Sequence, residues 1–141
     1  MKYVLDSSIG FKTLVPEALT DKAELLLQDY RNAVHELLSP DVYPVEVIHA
    51  LTRAERQGRI TPAEGGKLYV SFMTSLPKLR PNMSLLPRAY DISSNMRVGV
   101  YDCLYVALAE REQCELATAD DKLVKNLQPQ FPFIKHLSTF P

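Results

Sequence analysis

The segment Val100-Tyr101-Asp102-Cys103-Leu104-Tyr105-Val106-Ala107-Leu108-Ala109 holds nine apolar residues in ten, and Asp102 is the exception. A helix that is apolar nearly all round has no face to offer water, so it has to lie inside a layered domain. The chain of 141 residues is long enough to supply that cover. A domain of this size buries roughly 68 to 70% of the surface its unfolded chain exposes, and needs no disulfide or zinc staple. Cys103 and Cys114 show no C-x-x-C pairing and suit a reduced, intracellular protein.

The rest of the chain reads as strands alternating with helices. Tyr3-Val4-Leu5 is a short strand, followed by Asp6-Ser7-Ser8 as a turn or cap cluster, read as a loop. Ala23, Leu26, Leu27 and Tyr30 recur at helical spacing between Asp21 and Arg31, and Glu36-Leu37-Leu38-Ser39 gives a second strand. Pro44 opens a helix that runs to Gly58, with Val47, Ile48, Leu51 and Ala54 as its apolar stripe. Thr61-Pro62-Ala63-Glu64 is a capping-box start for a helix reaching about Ser75. A strand is expected near Met83 to Leu85, then helices over 88–96 and 100–109. Glu115 to Thr118 is a strand, Asp121 to Leu127 a short helix, and Phe133 to Leu137 a last strand. This alternation predicts an α/β fold: one domain spanning 1–141, with helices covering both faces of a mainly parallel sheet of about five short strands.

The apolar stretches are too short for a membrane span or an export signal, so the expected location is the cytoplasm. A formal net charge of −1 excludes the strongly basic kind of nucleic-acid binder, in which bulk positive charge attracts phosphate. Any grip on nucleic acid has to be local.

In an open parallel sheet, ligands gather outside the carboxyl ends of the strands. Asp6 follows the first strand, Asp120 and Asp121 follow the strand ending at Thr118, and Glu46 stands in the first turn of a helix at the same edge. Each acid alone also fits a helix-capping role. Asp102 is harder to explain that way, because a buried carboxylate needs a partner. Arg88 or Arg97 would serve, and so would a cation shared with other acids. Four convergent carboxylates cannot all stay ionised without a counter-cation. With oxygen donors only, that cation is a hard ion such as Mg²⁺ or Mn²⁺.

In order along the chain, Tyr3-Val4-Leu5-Asp6-Ser7-Ser8, Pro44-Val45-Glu46-Val47, the segment from Tyr101-Asp102 to Ala109, and Leu116-Ala117-Thr118-Ala119-Asp120-Asp121 resemble the motifs of PIN-domain nucleases. The likeness covers essentially the whole chain and is greatest to the VapC-type toxins of toxin–antitoxin systems. It implies a PIN-like three-layer α/β/α fold and an endoribonuclease in which Asp6, Glu46, Asp102 and Asp120 hold one or two Mg²⁺ or Mn²⁺ ions. It also implies hydroxyls at Ser8 and Thr118 that support the metal-holding carboxylates, with Asp121 a further candidate for that support, a small antitoxin partner and a homodimer formed through middle helices. Between the adjacent Asp120 and Asp121 the motif favours Asp120. Glu17 matches a recurrent family position without an assigned role.

Other residues have plainer readings. Arg53, Arg56 and Arg59 fit either an RNA-steering stripe or a solvated helix face, and His35, His49 and His136 show no ligand spacing. Tyr101, Tyr105 and Val106 read as core, and Cys103 as a small buried apolar residue. Three competing functions are a stand-alone RNA-processing PIN nuclease, a non-catalytic PIN-like interaction module and an aspartate-nucleophile phosphatase. The last expects a second Asp where Ser8 stands.

Overall fold

The computed structural model describes all 141 residues. Its centre is a five-stranded sheet of β1 (Lys2–Leu5), β2 (Glu36–Pro40), β3 (Lys78–Arg80), β4 (Glu115–Thr118) and β5 (Ile134–His136). The strands run in the order β3-β2-β1-β4-β5, and every pairing is parallel. The register places Val4 beside Leu38 on one side and Leu116 on the other. These residues are fully buried, as strands covered on both faces require.

The seven helices are α1 (Ser7–Lys12), α2 (Thr20–Arg31), α3 (Tyr43–Arg56), α4 (Pro62–Met73), α5 (Leu86–Met96), α6 (Val100–Glu112) and α7 (Asp121–Leu127). Right-handed crossovers put α1 to α4 on one face and α5 to α7 on the other. Helix contacts divide the same way: α1 packs on α2 and α3, α3 on α4, and α5 on α6. This is the expected three-layer α/β/α arrangement. α6 is buried without a break from Cys103 to Ala109 and lies against β1, β2 and β4. Its first turn emerges, so Tyr101 is exposed and Asp102 only partly buried.

Most elements form where the residue pattern puts them, including the capping box between Thr61 and Glu64. Three expectations fail. Tyr101, read as core from its apolar run, is 58% exposed, because that run begins in the turn of α6 that emerges. The segment after Asp6 is a helix rather than a loop; six residues are too few for a visible apolar period. The third strand is Lys78–Arg80, and Asn82–Ser84 is a 3-10 turn. The apolar cue at Met83 misleads because that side chain is 76% exposed, while the real strand is a short, half-polar edge between two prolines. No helix is long and apolar enough to cross a membrane.

Candidate functional site

The strand order reverses beside β1, because the chain builds outward through β2 and β3 and then returns to place β4 on the other flank. Ligand clefts form at such a switch point. Here a cleft of about 260 Å³ opens at the carboxyl ends of β1 and β4, lined by Asp6, Glu46, Asp102 and Asp120 together with Ser7, Ser8, Phe11, Lys12 and Glu17. Residues separated by up to 114 positions in the chain thus share one wall.

Asp6 is fixed by an extension of the β-ladder, its N–H donating to the Ala117 carbonyl at 3.0 Å. It occupies the N-cap position of α1 yet makes no side-chain cap bond, so capping does not explain it. Instead its Oδ2 accepts from the Ser8 hydroxyl at 2.5 Å and the Thr118 hydroxyl at 2.8 Å. Those hydroxyls are themselves aimed by backbone donors: Ala119 N–H to Ser8 Oγ at 2.9 Å, and Asp120 N–H to Thr118 Oγ1 at 3.0 Å. The two expected supporting hydroxyls therefore grip one oxygen of a carboxylate that is 3% exposed.

Glu46 accepts the Tyr105 hydroxyl on Oε1 at 2.6 Å. Tyr105 is core, as its setting in α6 suggests, but its hydroxyl also reaches the site, a second task that apolar patterning cannot reveal. Asp120 does cap α7, its Oδ1 accepting from the N–H groups of Lys122 and Leu123. Each of these three acids has one oxygen held by protein donors and no protein partner on the other.

Asp102 has no hydrogen-bond donor and no cation on either oxygen. The compensating arginines do not reach it: Arg88 is forked onto Glu110 at 2.7 and 3.0 Å, and Arg97 terminates α5 in a left-handed conformation. Burial, followed by the charges of Asp6, Asp120 and Glu46, pushes the Asp102 carboxyl up to about 7. Asp6 rises to about 6, chiefly by burial; the Ser8 and Thr118 bonds pull it down and the charges of Glu46 and Asp120 push it up. These shifts are the signature of carboxylates crowded without a counter-charge.

Asp121, the third candidate for supporting the site, does not serve it: it is not among the cleft residues, because the first turn of α7 turns it outward. Its side chain is 93% exposed and lies 2.9 Å from His136 Nε2. His49, Arg53 and Arg56 are exposed and outside the cleft lining, and Arg59 pairs with Glu17. Sequence reasoning missed Lys12 as a lining residue and gave Glu17 no role; a charged pair five residues apart has no distinctive spacing to announce it.

No three His, Cys, Asp or Glu side chains are drawn together tightly enough to make a finished ligand cluster. The acids stand around the cleft wall. Their donor set still fits a hard divalent ion, which takes few protein oxygens and keeps several waters.

A PIN-domain family model matches residues 3–126. Ribonuclease VapC9 of Mycobacterium tuberculosis is 31% identical over 100 residues, covering 71% of this chain and 77% of that protein. Ribonuclease VapC3 of Pyrobaculum aerophilum is 30% identical over 128 residues, covering 89% and 94%. Among solved structures, PAE2754 from P. aerophilum superposes with a TM-score of 0.71 at 20% identity, over 99% of this chain and 94% of that one. VapBC2 from Rickettsia felis, bound to a DNA fragment from its promoter, gives 0.63 at 14% identity over 96% and 98%. At such identities the two structures speak for the fold alone; the family match and the curated relatives go further, and with them this chain belongs to the PIN-domain family as one of its VapC-type ribonucleases.

Proposed function

We propose that this chain is a divalent-metal-dependent endoribonuclease and the toxin of a VapBC-type pair, working in the cytoplasm as one PIN unit. The observation that carries the metal dependence is Asp102: a partly buried carboxylate among three other acids, with no donor and no cation. Asp6, Glu46, Asp102 and Asp120 would hold one or two Mg²⁺ or Mn²⁺ ions. Such an ion supplies positive charge at the scissile phosphate and acidifies a water for attack on phosphorus.

The chain's own contribution is orientation. Ser8 and Thr118 hold Asp6 by Oδ2, Tyr105 holds Glu46 by Oε1, and the α7 amides hold Asp120 by Oδ1. Fixing one oxygen sets the direction of the other, which is how outer hydroxyls and amides tune a metal-binding carboxylate. The cleft holds no cysteine or histidine, and its Ser8 hydroxyl is engaged in orienting Asp6 between that carboxylate and the Ala119 amide, which suits hydrolysis by water.

An antitoxin partner is supported by the VapC relatives and by the fold shared with the VapBC2 structure. Exposed Tyr69, Val70 and Met73 on α4 supply an apolar surface for the expected homodimer. The decisive experiment incubates structured and single-stranded RNAs with the protein in Mg²⁺, Mn²⁺ or EDTA, alongside Asp6→Asn and Asp102→Asn. Cleavage is expected only for wild type with metal. Equal cleavage by the variants, or cleavage in EDTA, overturns the reading.

A further inference from the structure

Lys12 is the single cationic side chain that lines the acidic cleft. It ends α1, and its side chain is only 13% exposed. An ammonium on the wall of a cleft lined by four carboxylates would be expected to bond one of them, yet its Nζ lies 3.0 Å from Oε1 of Glu17 instead, at the exposed rim. The other Glu17 oxygen is 3.5 Å from Arg59 Nη2.

This placement is built in. The Thr20 hydroxyl donates to the Lys12 carbonyl at 2.9 Å and accepts the Glu17 N–H at 2.9 Å, tying the loop that carries Glu17 to the end of α1. The Arg59 guanidinium lies 5.7 Å over the ring of Phe11, another cleft residue. Lys12 is therefore held at the cleft wall by a partner that makes no hydrogen bond to any of the four acids. An ammonium has three donors, and Glu17 engages one.

Once a cation balances the acids, Lys12 is the remaining group in the cleft suited to an anionic oxygen. We propose that Lys12 is a phosphate contact for the RNA backbone, with Glu17 holding its ammonium at the cleft wall in the absence of RNA. This rests on the ribonuclease reading above and adds to it a residue that binds substrate without binding metal. A lysine is a compact point charge, so the contact would position the strand without reading its bases.

The test measures binding of a fluorescein-labelled single-stranded RNA 12-mer in Mn²⁺ by anisotropy, across a KCl series. Asp6→Asn serves as the common background so that the RNA survives. Adding Lys12→Ala should weaken binding and make the log Kd against log salt slope shallower by about 0.7, the value for one phosphate contact on a single strand. Lys12→Arg should keep the slope. Lys78→Ala removes the same charge at the opposite edge of the sheet, where β3 begins, and should also keep it. An unchanged slope in Lys12→Ala, or an equal change in Lys78→Ala, overturns the proposal. Failure of the ribonuclease reading would appear separately, as wild type that cleaves no RNA in the metal-dependence experiment.

Discussion

The Tyr105 hydroxyl donates to Oε1 of Glu46 at 2.6 Å, joining the buried helix α6 to the first turn of α3. Tyr105 is fully buried, so its position is set by the core, and the core thereby sets the direction of the Glu46 carboxylate. Tyr105→Phe keeps the ring and deletes only that bond. Loss of a supporting contact of this kind typically weakens metal affinity 10- to 100-fold. Calorimetric titration of Mn²⁺ into the variant should show a drop in that range, with an unaltered circular dichroism spectrum.

Asp102→Asn is expected to exchange activity for stability. It removes a charge that burial and three neighbouring acids disfavour. After allowing for its partial contact with water, the metal-free protein should gain on the order of 1–3 kcal/mol at pH 8. For a chain of this size that is about 3–9 °C in Tm. Thermal melts in EDTA check the gain, and cleavage assays check the accompanying loss of activity.

The metal-free protein should lose stability as pH rises. An Asp with its pKa raised in the fold holds a proton that the unfolded chain has already released, so the unfolded state binds fewer protons and stability falls. The contribution is complete below the ordinary value of 3.8 and is gone once pH has passed about 6 for Asp6 and about 7 for Asp102. Melts between pH 4.5 and 7.5 in EDTA should decline across that window. Millimolar Mn²⁺ should restore Tm at pH 7.5 and do little at pH 4.5, where protons already neutralise the cleft. Stability that climbs across the window without metal would contradict the crowded-carboxylate account.

Gly10 lets α1 lie close against α3. A Cβ there would run into the hydroxyl of Tyr43, which is 1% exposed, and come within 3.1 Å of Val47 Cγ2. Tyr43 would have to shift toward the cavity it lines with Leu14 and Phe72, and lose packing against α1 as it does. Gly10→Ala should cost about 1–3 kcal/mol, the usual penalty for overpacking. Urea unfolding should report that loss, and RNA cleavage should fall as well, because α1 and α3 carry Ser8 and Glu46.

The sheet and most helices were legible because their apolar periods are long, and the all-round apolar run of α6 fixed where the core had to be. The site was legible where an acid follows a strand, as at Asp6 and Asp120. Asp102 stood out because a charge interrupts an apolar run, although only the folded chain excludes Arg88 and Arg97 as its partners. The helix at Ser7–Lys12 and the edge strand at Lys78–Arg80 were hidden by shortness. The Tyr105 hydroxyl and the Lys12–Glu17 pair were hidden for another reason: their roles arise from tertiary approach, and neither has a local pattern to betray it.

The return of the chain to β1 has a consequence for biosynthesis. The first half of the polypeptide delivers Asp6 and Glu46, while Asp102 and Asp120 arrive with the second half, and β4 must slot beside β1 before Asp6 gains its bond to Ala117 and its Thr118 clasp. A nascent chain that has not reached β4 carries acids without their frame. Such a chain lacks Asp120 and the Thr118 hydroxyl that holds Asp6, so the cleft cannot be complete before β4 is in place.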